Sequence, residues 1–280
     1  MYAEDLSIAI RCGDTLSPTW PFVQTLITCE VVDSTSNRAA ELVREENVAL
    51  PLAVWARTQT CGRGRGSRAW WSDRGSLTFT IALEPSAHGL AAASEPIVAL
   101  ATAVAVIDAI EEIGLAGQSI GIRWPNDLEV GGRKLGGILP ERIETAHRHR
   151  LVIGVGLNVL TSLAKAPDEV RRMATALAAL QPRAFDEETL PRLMATILRH
   201  VESVLGRLAG GDPVLAARWN QLDVLREQWV SVDLGTRVIA GAACGIDADG
   251  ALCLDDGQNL HRVYGGQVLR TDNLESVESE

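Results

Sequence analysis

No charged residue occurs between Ile97 and Ile107, and the longer stretch 91–113 is made mostly of Ala, Val, Leu and Ile. A helix that is apolar on all sides cannot rest on a surface; it has to be covered. The uncharged run from Ile97 to Ile107 falls well short of the ~18 to 20 residues needed to cross a bilayer, so the cover is protein. It predicts a buried helix ended by Gly114, inside a fold large enough to hide it. The chain has 280 residues, 46% of them apolar. That suffices for one large domain, or a large domain with a small appendage, and is too hydrophobic for a disordered chain.

Strand-like segments precede and follow this helix, at 26–32, 52–58, 77–83, 120–124, 134–143 and 151–159, separated by Gly-rich or Pro-Asn-Asp turns. The polar cluster from Asp33 to Asn37 can cap a helix through Ala39, Ala40, Leu42 and Val43, and 167–180, 187–208 and 213–222 are helical by composition and spacing. The fold class is α+β, a mixed β-sheet with covering helices. From about residue 228 the character changes to short strands at 229–234, 237–246, 251–254 and 262–269, with turns at Leu234-Gly235, Asp249-Gly250 and Asp256-Gly257, the pattern of a small β-barrel. The expected division is a lead-in without clear period over 1–25, a main domain over 26–225, a barrel over 226–272 and a frayed acidic tail over 273–280.

The formal charge of −10 argues against a nucleic-acid binder that works through bulk charge, though a local basic loop can still hold an anionic small molecule. The first residues show no basic start followed by an apolar core, so no secretory signal is expected. Five scattered cysteines, Cys12, Cys29, Cys61, Cys244 and Cys253, lack CxxC spacing; this fits a reducing cytoplasm and offers no zinc site. Lys134 and Lys165 are the only lysines, and every other fixed cation is Arg.

The sharpest segment is Gly62-Arg63-Gly64-Arg65-Gly66-Ser67-Arg68, inside a run from 59 to 76 without hydrophobic period. Its glycines allow unusual backbone angles and close ligand approach, and its guanidinium groups offer fixed forks for phosphate or carboxylate. Alone, it is equally a solvated flexible loop or a nucleic-acid arm. Asn126-Asp127 after Pro125 is by itself an ordinary turn, Gly154-Val155-Gly156 a tight strand, and Lys134 a surface lysine. Trp70 and Trp71 are loop anchors or base-stacking platforms. His147 and His149, beside Arg148 and Arg150, are a solvated strand end.

Taken together and in order, Asp33-Ser34-Thr35, the 59–72 loop, Arg123-Trp124-Pro125-Asn126-Asp127, Gly132-Arg133-Lys134-Leu135-Gly136-Gly137-Ile138-Leu139 and Gly154-Val155-Gly156-Leu157-Asn158 closely resemble the biotin protein ligases. The resemblance continues weakly through Arg218-Trp219 to Gly245-Ile246-Asp247 and Gly250. It implies the biotin/lipoate ligase catalytic fold, which is class II synthetase-like, with a C-terminal SH3-like barrel. It also implies ATP-dependent formation of biotinyl-5′-AMP and transfer of biotin to a lysine of a carboxylase carrier domain. Implied biotin contacts are Ser34, Thr35, Ser36, Gln59, Arg63, Gly64, Arg65, Lys134, Gly136 and Gly137. Implied ATP contacts are Arg65, Arg68, Trp70, Arg123, Asn126, Asp127 and Asn158, with Asp127 a candidate for Mg²⁺. Lys134 and Arg65 are the implied catalytic residues, and the Gly/Arg loop the segment that closes over the adenylate. The chemistry is consistent with this: attack of a carboxylate on the α-phosphate needs alignment and cationic stabilisation, and a compact ammonium can follow charge as it moves.

Four positions depart from the family pattern. Ser36 stands where Asn is usual, Ser67 where Gly is usual, and Arg123 where Lys is usual; Pro140 stands where the family has an aliphatic residue and costs a strand one N–H donor. Two other readings share some of these features: a lipoate or octanoate ligase or transferase, whose phosphate loop normally carries a triple glycine absent here, and a non-enzymatic biotin or adenylate sensor. Only about 25 residues precede the catalytic part, too few for a helix-turn-helix domain with its own core, so no DNA binding is expected. No membrane partner is expected, the expected location is cytoplasmic, and a homodimer is left open.

Overall fold

The computed structural model describes residues 9–11, 20–45, 48–115, 119–145, 148–181 and 185–269. The acidic tail 273–280, His147, Cys12 and most of the lead-in lie outside the described residues.

The larger sheet has eight strands in the order β1-β2-β3-β4-β8-β7-β6-β5. They are β1 Ala9–Arg11, β2 Thr25–Val32, β3 Leu52–Gln59, β4 Ser76–Leu83, β5 Ile120–Arg123, β6 Asp127–Val130, β7 Arg133–Glu144 and β8 His149–Asn158. Only β2 and β3 pair in parallel; every other neighbour is antiparallel, so the sheet is mixed. Helix α1, Thr35–Leu42, crosses between the two parallel strands and lies over β3, β4 and β8 on one face. The opposite face carries α2, Val98–Ile110, backed by α5, Thr189–Ala209. Twelve of the thirteen residues of α2 are buried, as its composition requires. On α5, Leu190, Leu193, Met194, Ile197, Val201, Val204, Leu205 and Leu208 recur at helical spacing and form the stripe that seals α2 against the sheet.

A second sheet, β12-β11-β10-β9-β13, is fully antiparallel and forms the small SH3-like C-terminal barrel. It is built from β9 Trp229–Asp233, β10 Val238–Ile246, β11 Leu252–Asp255, β12 Leu260–Val263 and β13 Gln267–Val268. Two buried indoles join it to the larger body: Trp124 donates from Nε1 to the Gly250 carbonyl at 3.0 Å, and Trp219 to the Asp247 carbonyl at 3.1 Å. Gly250, at φ 79°, lies so close to the start of α2 that a Cβ there would fall 2.2 Å from Cγ2 of the preceding Ile97 and 3.2 Å from Leu100 Cδ1.

Five local expectations are corrected. The 91–113 helix is interrupted where Pro96 lacks an N–H: a 3₁₀ segment Ala92–Ile97 precedes α2, and a π turn with Gly114 at φ 106° follows it. The 167–180 helix is two short ones, α3 Asp168–Met173 and α4 Leu177–Leu180, because the chain between them turns extended to hydrogen-bond β7: the Thr175 N–H donates to the Lys134 carbonyl at 2.9 Å. The 262–269 strand is split into β12 and β13 by a turn in which Gly266 has φ 132°. Asp127 opens β6 rather than completing a turn. Within the lead-in, Ala9–Arg11 adds an edge strand to β2. Pro140 does not disturb the sheet. The Ile138 N–H bonds the Asn126 carbonyl on the β6 side, and strand alternation turns residue 140 to the same side, beyond the last β6–β7 pair at Gly137.

Candidate functional site

A single cleft on the α1 face gathers most of the singled-out residues, and strand alternation makes it. On β4, Leu77, Phe79, Ile81 and Leu83 enter the main core, which leaves Thr78, Thr80 and Ala82 for the α1 face. On β8, Leu151, Ile153, Val155 and Leu157 enter the same core, which leaves Val152, Gly154 and Gly156. Ala82 and Val152 pack under α1. The two glycines sit where any side chain would collide: a Cβ at Gly154 would be 2.8 Å from Ser36 Oγ, and one at Gly156 2.6 Å from the Trp70 ring. The cleft is therefore the strip of sheet on which residues 154 and 156 have no side chain.

One end of the cleft is neutral and polar. Ser34, at φ −154° and ψ 132°, caps α1 by accepting from the Asn37 N–H, and the first helical turn presents Thr35 and Ser36 to the sheet. The Thr35 N–H and hydroxyl both donate to Gln59 Oε1, at 2.8 and 3.1 Å. The Thr80 hydroxyl bonds Thr35 Oγ1 at 2.8 Å and Ser36 Oγ at 3.2 Å. Ile138, Leu139 and Val155 line the same cleft.

The other end is charged. The bulge between Leu128 and Glu129 brings Lys134 on β7 back toward Asp127 on β6, with Nζ 2.6 Å from Asp127 Oδ1. Lys134 Nζ also lies 5.7 Å from the centre of the Trp70 ring. Gly137 pairs with Asp127, and a Cβ there would stand 3.3 Å from Asp127 Oδ1 and 3.6 Å from Lys134 Nζ. Arg123 pairs with Glu129 at 3.7 Å, and Asn126 donates to the Ile138 carbonyl at 2.7 Å. The Gly/Arg loop is folded back on itself: Gly64 N–H to Arg68 O and Trp70 N–H to Gly62 O, both 2.8 Å, bracket an Arg63–Ala69 bridge. Arg63 reaches across the mouth to Asn37 Oδ1 at 3.1 Å and to the Glu141 carboxylate. Arg65 donates to the Gly266 carbonyl of the barrel at 2.9 Å. Burial, with help from the neighbouring Arg68, lowers the pKa of Arg65 from the ordinary arginine value. Five cations, Arg63, Arg65, Arg68, Arg123 and Lys134, thus line a space whose one lining carboxylate, Asp127, is paired with Lys134, an arrangement suited to a polyanion.

Ser34, Thr35, Ser36, Gln59, Arg63, Gly64, Arg65, Arg68, Trp70, Arg123, Asn126, Asp127, Lys134 and Gly137 all line this cleft. Gly136 and Asn158 do not border it. Gly136 is pressed between strands, where a Cβ would be 2.8 Å from the Gly156 carbonyl; Asn158 is buried at the end of β8, paired with Ser76. His149 sits at the opposite end of β8, its Nε2 2.7 Å from Glu95 Oε1. Among the described residues no group of three or more His, Cys, Asp or Glu side chains could hold a metal ion. A Mg²⁺ here would find Asp127 as its one carboxylate and would rely on phosphate oxygens for the rest, which is the usual way Mg²⁺ accompanies a nucleotide. Sequence reasoning missed Gly266, Gln267 and Val268, which line the cleft from the barrel, and Thr80 and Glu141, which lie behind and beside it. Only the parity of β4 could have pointed to Thr80.

Residues 28–158 match the Biotin/lipoate A/B protein ligase family, and residues 227–270 match the Biotin protein ligase C terminal domain. The Biotin--[acetyl-CoA-carboxylase] ligase of Mycobacterium tuberculosis is 33% identical over 251 residues, which covers 86% of this chain and 88% of that protein. The Bifunctional ligase/repressor BirA of Bacillus subtilis is 30% identical over 255 residues, 88% of this chain and 74% of that protein. Among solved structures, the biotin protein ligase from Aquifex aeolicus in complex with biotin and ATP superposes with a TM-score of 0.72 at 25% identity, covering 87% of this chain and 97% of that one.

Proposed function

The chain belongs to the biotin protein ligases of the biotin/lipoate A/B family, and on that premise we propose that its cleft joins biotin to AMP and then hands biotin to a lysine of a carboxylase carrier domain. In the first step a biotin carboxylate oxygen attacks the α-phosphorus of ATP, and pyrophosphate leaves. In the second, the carrier lysine amine attacks the acyl carbon of biotinyl-5′-AMP, loses a proton and displaces AMP. The observation that carries this reading is the polarity of the cleft: neutral hydrogen-bonding groups at the Ser34–Ser36 end, and Lys134, Arg65 and Arg68 at the other.

Each end has a task. Ser34, Thr35, Ser36 and Gln59 hold the ureido ring, while the Leu139 side chain covers the apolar part of the vitamin. Lys134 lies where the carboxylate and α-phosphate meet; its contact with Asp127 keeps the ammonium aimed before the substrates arrive, so little reorganisation is needed when charge shifts. Arg65 and Arg68 face the phosphates, and Trp70 offers a flat apolar surface on that side. Asp127 would hold a Mg²⁺ that accompanies ATP, and that ion would neutralise phosphate charge. The folded Gly62–Arg68 loop, tied by Arg63 and Arg65, shields the mixed anhydride from water. The connection after α6, Pro213–Gln221, leads into β9 and supports the division into a 26–225 ligase domain and a 226–272 barrel. Consumption of ATP and the four free cysteines of the described residues support action in the cytoplasm; among the described residues no helix is long and apolar enough to cross a membrane.

Transfer of radiolabelled biotin to a carrier domain, with wild type and Lys134→Ala, tests the proposal. Wild type labels the carrier and releases pyrophosphate; the variant stays folded and loses most of both. Undiminished labelling by the variant refutes the role of Lys134, and absence of labelling by wild type refutes the reaction.

A further inference from the structure

The neutral end of the cleft contains a hydrogen-bond chain whose direction can be worked out atom by atom. Gln59 Oε1 takes the Thr35 backbone N–H, so the atom at that position is the carbonyl oxygen, which can only accept. The Thr35 hydroxyl must therefore spend its proton on Gln59 Oε1, at 3.1 Å. Thr35 Oγ1 can then only accept from Thr80, at 2.8 Å, which uses the single Thr80 proton. Thr80 Oγ1 in turn can only accept from Ser36, at 3.2 Å. The chain runs Ser36 to Thr80 to Thr35 to Gln59, and each hydroxyl proton in it is committed.

What the chain leaves for a ligand is fixed by that direction. Ser36 and Thr35 show lone pairs to the cleft, while Gln59 shows the N–H donors of its amide nitrogen. A cyclic urea presents the matching set, two ring N–H donors and one carbonyl acceptor. Thr80 does not line the cleft; it is fully buried on β4, and no other hydroxyl bridges Thr35 and Ser36 among the described residues.

We propose that Thr80 is a positioning residue for vitamin selection: its hydroxyl takes the Ser36 proton, so that Ser36 joins Thr35, whose own proton Gln59 holds, as an acceptor toward the ureido N–H groups. The proposal rests on the reading of the cleft as a biotin site. Without the Thr80 hydroxyl the Ser36 proton is released and can turn into the cleft, where it opposes a ligand N–H.

Biotin titration of the full chain by calorimetry, with steady-state adenylation, tests this on wild type, Thr80→Val and Thr80→Ser. Val keeps the shape without the hydroxyl; Ser keeps the hydroxyl. Thr80→Val should weaken biotin binding about tenfold, the scale of one buried hydrogen bond rearranged, while the KM for ATP and kcat at saturating biotin stay within about twofold. Thr80→Ser should bind within about threefold of wild type. An analogue methylated at both ring nitrogens should lose less from Thr80→Val than biotin does. If Val does not fold, Thr80→Cys, similar in size and a weak donor, carries the same comparison. Unchanged biotin affinity in the hydroxyl-free variant, or equal losses in ATP and biotin parameters with a lowered Tm, overturns the assignment of Thr80 and leaves the ligase reading standing. Wild type that binds no biotin at all overturns the ligase reading itself.

Discussion

The two ends of the cleft solve different problems with different materials. The vitamin end stands on the first turn of α1 and on β3, β4 and β8, is built from uncharged groups, and has its internal hydrogen bonds complete. The phosphate end stands on a loop, a bulged strand pair and a turn of a second domain, and is built from charges that contact one another and the main chain. A neutral ligand gains selectivity from groups locked in place, because each mismatched donor or acceptor left buried costs roughly 1 to 3 kcal/mol. A polyanion gains from field, which tolerates displacement but not loss of charge.

This contrast predicts effects of descending size. Lys134→Ala should lower the rate of adenylate formation by about 10²- to 10³-fold, the range for losing one preorganised stabilising group, with biotin affinity changed by less than tenfold; quench-flow and calorimetry measure the two. Equal losses in both would mean that the ends are not separable. Gly156→Val drives a side chain into the Trp70 ring, which has no room to receive it. The KM for ATP should rise about tenfold and more than that for biotin. Raising salt from about 0.05 to 0.5 M shortens the Debye length below the span of the charged end; ATP binding should weaken severalfold while biotin binding holds within about twofold. Glu141→Gln removes the carboxylate that holds Arg63 across the mouth. Because that pair is partly exposed, the biotin dissociation rate should rise only about two- to fivefold, and an unchanged rate would show that Arg63 does not close the cleft.

The sequence resolved the two ends unequally. Helix α1 and its cap were legible because Asp33 to Asn37 puts small polar residues directly before an apolar helical period. Six of the eight strands of the larger sheet were legible, β4 most plainly from its alternation, whereas the short β1 and β6 were not. The charged end was legible as a set of motifs, yet its assembly was not. The bulge at Leu128/Glu129 that turns Lys134 onto Asp127 leaves no compositional mark, and Gly266 reaches Arg65 from 201 positions away. Thr80 was hidden for a different reason: a threonine in a strand is unremarkable by β propensity, and its role depends on which hydroxyls stand opposite. Local propensity favours one helix over 91–113 and one over 167–180, but Pro96 breaks the first and the Thr175 hydrogen bond to Lys134 interrupts the second.

Strand β8 serves two masters: its odd residues fill the core and its even ones, Gly154 and Gly156, hollow out the binding surface. Were β8 to pair one residue out of step with β4, Ile153 and Val155 would swing into the hollow and plug it, while the glycines would leave voids in the interior. A misaligned molecule would thus be both looser and blind to its ligands. The ligands, binding only correctly aligned chains, would act as quality inspectors, drawing the population toward the proper pairing by mass action.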